Sequence, residues 1–99
     1  MAYKITRDYI KKLRPEDCDF SLIGRGRYKK RNEDGIIISS LTNAQMPHKF
    51  RCLDDDGNIY FGGVSNNDSS FAPMDDYASD YGITSIEYKN PTTGIWEQL

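Results

Sequence analysis

Valine, histidine and tryptophan each occur once in the 99-residue chain, cysteine occurs twice, and after Arg51 a single basic residue, Lys89, remains. Each scarcity excludes something. A lone histidine, His48, rules out the two-histidine metal motifs, and Cys18 and Cys52 lie too far apart for any short zinc or redox spacing. At most they would form one disulfide; free thiols are expected, with Cys52 in the core because it alternates with charged neighbours in Lys49-Phe50-Arg51-Cys52. In an extended strand His48 and Cys52 share a face about 13 Å apart, beyond the reach of a nucleophile pair. Gly-x-Ser-x-Gly, His-Glu-x-x-His, Ser-x-x-Lys and phosphate-loop patterns are all missing. The expectation is a protein that is not an enzyme and uses neither cofactor nor metal. No run approaches the roughly 18 apolar residues of a membrane span. Lys4, Arg7, Asp8, Lys11 and Lys12 interrupt the N-terminus where a secretory signal would be apolar. A cytoplasmic protein without membrane association is the reading that follows.

What is present suits one small domain. A mass of 11.4 kDa leaves no room for two self-supporting cores. Apolar residues make up 37% of the chain, and seven tyrosines add surface that can be buried, enough for a fold with thin margins. Residues 3–13 place Ile5, Tyr9 and Leu13 at four-residue steps with Ile10 beside them, which predicts an amphipathic N-terminal helix with Thr6 as its cap and its end before Pro15. Three β-hairpins are expected further on. The first joins residues 26–31 to 36–40 through Asp34-Gly35. The second joins 49–53 to 59–63 through Asp56-Gly57, a pair suited to positive φ. The third joins 84–89 to 95–99 across 90–94, with Tyr88 facing Trp96. Between the last two, Pro73, Asp75, Asp76 and Gly82 mark the start and stop of one short helix. The fold class is therefore α+β: an antiparallel sheet of three hairpins with two helices packed on it, the alternative being a small, partly open β-barrel.

Charge is unevenly placed. Residues 1–51 carry a net +6 and residues 52–99 a net −8. Two surfaces follow from this asymmetry. In the first reading Tyr77 and Tyr81, rimmed by Asp75, Asp76 and Asp80, form an acidic and aromatic surface that docks on a protein partner. In the alternative, the strand around Arg25, Arg27, Tyr28, Lys29 and Arg31 binds nucleic acid weakly, with Lys30 adding charge and Tyr28 stacking on a base. Ordinary roles compete with both, namely an edge strand guarded by its charges and acids at a helix start. A calcium loop is suggested by Asp54, Asp56 and Asn58 but fails at Ile59 and Ser65, where its glycine and glutamate should stand. Edge strands and surplus aromatics allow a monomer or a weak dimer.

Overall fold

The computed structural model describes residues 2–13, 22–30, 33–34 and 45–99. Seven strands appear in chain order: β1 (Ala2–Asp8), β2 (Gly26–Lys30), β3 (Glu33–Asp34), β4 (His48–Leu53), β5 (Ile59–Ser65), β6 (Ser85–Lys89) and β7 (Trp96–Gln98). Three helical turns, α1 (Ile10–Leu13), α2 (Ala72–Asp75) and α3 (Ala78–Tyr81), accompany them. Six strands form an antiparallel open sheet in the order β2-β1-β5-β4-β6-β7, and β3 pairs with the outer side of β2 at Lys29 and Lys30. Among the described residues the sheet is open, with β3 and β7 at its two ends, rather than the barrel of the alternative.

The β4–β5 hairpin forms where Asp56-Gly57 predicts it. Gly57 takes φ 82°, and the Asp54 carboxylate accepts hydrogen bonds from the backbone of Asp56 (3.0 Å) and Asn58 (2.9 Å) and from Asn58 Nδ2 (3.2 Å). Desolvation opposes ionisation at Asp54, but these bonds outweigh it and hold its carboxyl below the ordinary aspartate range. The Asp54 carboxylate of the suggested calcium loop thus fastens a turn.

The expected N-terminal helix is instead a strand, with only α1 left helical at its end. The expected spacing joins two elements, because Ile5 belongs to the strand, Ile10 and Leu13 belong to α1, and Tyr9 lies between them. Ile5 sits opposite Gly63, Arg7 opposite Gly62 and Asp8 opposite Phe61, so Thr6 is an extra, bulged residue. Positions on the core face consequently run Tyr3, Ile5, Asp8. Asp8 closes the strand by accepting bonds from the backbone of Ile10 (2.9 Å) and Leu22 (2.6 Å). β1 lies between β2 and β5, so the three hairpins are not simply laid side by side.

Two further expectations shift. In the first hairpin Asp34 is a strand residue paired with Lys29 rather than part of the turn, and the proposed return strand 36–40 lies outside the described residues. In the last hairpin the backbone N–H of Asn90 donates to the carbonyl of Ile95 (2.9 Å), and the Asn90 side chain accepts from Thr92 (2.8 Å) and Thr93 (3.2 Å). That arrangement leaves four residues in the loop, places Trp96 opposite Lys89, and sets Glu97 opposite Tyr88. A one-residue slip reverses the face of every side chain in the strand. Trp96 accordingly lies on the face away from Tyr88 and Ile86.

One face of the sheet carries the core: Tyr3, Ile5, Phe50, Cys52, Phe61, Ile86 and Tyr88 are buried there. Ile10 from α1, Tyr81 from α3 and the partly buried Met74 of α2 pack against them. The short helix expected before the last hairpin is divided in two. Tyr77 leaves helical geometry at φ −126°, which sets its ring edge-on to Phe61 with centroids 5.3 Å apart, and Gly82 ends α3 at φ 70° as its position predicted.

The Tyr88 hydroxyl donates to the carbonyl of Ser70 (2.6 Å), and burial pushes its phenol up to about 12. Burial, followed by the bond to Asp76, also raises the Tyr3 phenol. An unfolded tyrosine ionises near about 10, so these neutral phenols contribute full stability below that pH and lose it as pH climbs through the folded values. The urea midpoint is expected to stay level to about pH 9 and to fall above about pH 10. Tyr88→Phe should make that fall shallower; a slope identical to wild type would remove Tyr88 from the account.

Candidate functional site

The two surfaces drawn from the sequence meet each other. Asp76, at the end of α2, accepts a hydrogen bond from the Tyr3 hydroxyl and pairs with Arg27 Nη2 at 3.3 Å. An acid of the first reading and a cation of the second therefore neutralise one another across the β2 side of the core. Tyr81 is buried at 9% exposure, and Tyr77 is half-buried against Phe61. The aromatic centre expected of the acidic surface belongs to the core: the helix face that aligns these tyrosines is the face packed on the sheet. Burial first, and then the Asp76 charge, raise the Tyr77 phenol. Asp75 and Asp80 remain exposed.

The basic strand is also divided. Arg25 precedes β2 and is exposed, while Arg27 lies opposite Tyr3 and leans toward Asp76. Tyr28 stands at the register position of Ala2 and Lys29 at that of Asp34. Arg31, like Cys18, lies outside the described residues. Cys52 is fully buried, and burial pushes its thiol well above the ordinary range, so it is held as a protonated core residue. His48 stands on the same strand opposite Ser65. Among the described residues no group of three His, Cys, Asp or Glu side chains is placed to hold a metal ion.

The second face of the sheet gathers what the sequence scatters. Antiparallel register sets Arg7, Gly62, Arg51 and Glu87 in one row across β1, β5, β4 and β6, with Gln98 of β7 at its end. An adjoining row runs from Lys4 through Val64 to Lys49, and the Lys89–Trp96 pair continues it on β6 and β7. Five Lys and Arg residues thus share this face with Trp96, and Glu87 is the only acid in the two rows. Glu87 is engaged: its Oε1 accepts from Arg51 Nε at 2.6 Å. Trp96 reaches across β6, so that the Arg51 guanidinium carbon lies 4.3 Å from the indole centroid. Lys4, Arg7, Lys49 and Lys89 take part in no ion pair among the described residues. Arg7, Lys49, Arg51 and Lys89 line a concavity of about 340 Å³, together with Gly62, Thr6, Tyr9 and Trp96. Gly62 offers no side chain in the space between Arg7 and Arg51.

The chain matches no family model, no curated protein and no solved structure. Its chemistry therefore rests on this geometry. Arg51 is held by a charged hydrogen bond to Glu87 and by the Trp96 ring beside its guanidinium, which restricts its side chain before any ligand arrives. The surrounding cations favour an anion, and the rim supplies aromatic surface. No hint of this grouping stands in a single stretch of sequence. The one local signal is the alternation in Lys49-Phe50-Arg51-Cys52, which puts both cations on the face opposite Cys52.

Proposed function

We propose that this chain is a non-enzymatic binding domain whose working surface is the second face of its sheet and whose partner presents an extended array of negative charge. The observation that supports this most is the pair of cross-strand rows, with five cations to one acid and that acid already bonded to Arg51. Interaction with a partner stays the mode of action; the surface moves. The protein-docking surface around α2 and α3 keeps only the exposed carboxylates of Asp75 and Asp80, so less supports it.

Retention on immobilised heparin tests the reading. The whole chain has a net charge of −2 and a sequence pI near 5.3, so a uniform charge distribution would not hold it on a polyanion at neutral pH. Retention at low salt is expected, with elution at moderate salt as counterions are displaced. Lys49→Glu combined with Lys89→Glu should abolish it while far-ultraviolet circular dichroism stays unchanged. Passage of the wild-type protein straight through the column would overturn the proposal.

A further inference from the structure

Resting on that reading, we infer that the anionic partner is single-stranded nucleic acid, with phosphates held by Arg7, Lys49 and Arg51 and a base stacked at Trp96. Three features carry the choice. The first is the Arg51 unit. Nε is bonded to Glu87 and the guanidinium carbon lies 4.3 Å from the Trp96 centroid, which leaves the two terminal nitrogens as a fork, the shape that bonds two oxygens of one phosphate. A lysine in its place would supply charge without that fork.

The second is the mixture of rings and charges. Trp96, partly exposed, and Tyr9, 38% exposed, help line a cationic concavity. Cations that track a backbone and aromatic faces that receive unpaired bases are the two components of single-strand recognition. An acidic peptide uses the first and has no need of the second. The third is shape. The face is broad, and its concavity of about 340 Å³ sits near the lower end of ligand-sized sites, which run from about 300 Å³ upward. Among the described residues the helical segments are four residues each, and their buried residues serve the other face, so no helix is offered to a duplex groove.

The chain supplies its own reporter, because Trp96 is the only tryptophan. Titration of the full-length protein with a short oligothymidine, followed by tryptophan fluorescence, is expected to show saturable quenching. A plot of log affinity against log salt should have a slope set by the few phosphates engaged. The duplex of the same length should bind more weakly. Trp96→Leu, followed by anisotropy of a labelled oligothymidine, should weaken binding by about fivefold to a hundredfold, while Trp96→Phe keeps most of the affinity. Lys49→Glu with Lys89→Glu should remove binding. Oligothymidine should also displace the protein from heparin more effectively than polyglutamate or phosphatidylserine vesicles of equal charge. If heparin retains the protein but polyglutamate or the vesicles compete as well as the oligonucleotide, or both Trp96 variants bind oligothymidine like wild type, the nucleic-acid inference falls and the binding face stands. If neither heparin nor oligothymidine binds, both fall.

Discussion

Phe50→Ala is expected to lower the stability of the domain by about 4 kcal/mol, read as a shift of the urea midpoint at unchanged slope. Phe50 lies at the middle of β4, 1% exposed, between Tyr3 on one side and Tyr88 on the other. The first contact is edge-to-face at 5.8 Å between centroids, the second tilted at 6.2 Å. These geometries match the preference of aromatic quadrupoles and add to the gain from removing the ring from water. Truncation at this position removes both contacts and opens a void that strands on either side cannot close, because their backbones are fixed by pairing. A domain of this size has on the order of 5–15 kcal/mol in total, so the loss would leave a large unfolded fraction at the low end of that range. Phe71→Ala is the comparison: its side chain is 45% exposed, and a change within about 0.5 kcal/mol is expected. Equal effects at the two positions would mean that the aromatic row is not the centre of the core.

The parts of this fold that can be read from sequence are those in which local chemistry and tertiary pairing agree. Asp56-Gly57 demands a tight turn wherever it stands, and Gly82 ends a helix because a left-handed residue is needed there; both are found as expected. Where a pattern crosses from one element to the next, or a single residue changes the count, periodicity misleads. The four-residue steps from Ile5 through Tyr9 to Leu13 run out of a strand into a single helical turn, and one fewer residue in the last loop carries Trp96 from the core face to the opposite one. The candidate site is hidden for a different reason. Its cations enter from three separate strands, Lys4 and Arg7 from β1, Lys49 and Arg51 from β4, and Lys89 from β6. Only the strand order makes them neighbours. The dense run 25–31, which drew attention by composition, contributes Arg27 to an internal ion pair instead.

Gly63→Ala is expected to cost about 3 kcal/mol or more, although it adds one methyl group and keeps an ordinary strand conformation available. The position explains the size of the effect. A Cβ built on Gly63 would run into the carbonyl oxygen of Lys4 on β1 and come within 2.9 Å of Phe50 Cζ on β4. The first obstacle is backbone, so no rotamer change relieves it; β1 must move away from β5. On its other edge β1 is pressed in the same way, since a Cβ on Gly26 would meet the carbonyl of Tyr3. Two glycines, one on each neighbouring strand, therefore let β1 approach both at once. That approach positions Lys4 and Arg7 beside Val64 and Gly62, which completes the cationic rows at their β1 end. Gly63→Ala should thus reduce heparin retention as well as the urea midpoint, even at a temperature where the protein remains folded. Lys4→Gln with Arg7→Gln should reduce retention alone. A Gly63→Ala protein with wild-type stability would contradict the close approach of β1 to β5; one that is destabilised yet binds as before would show that β1 does not contribute to the binding face.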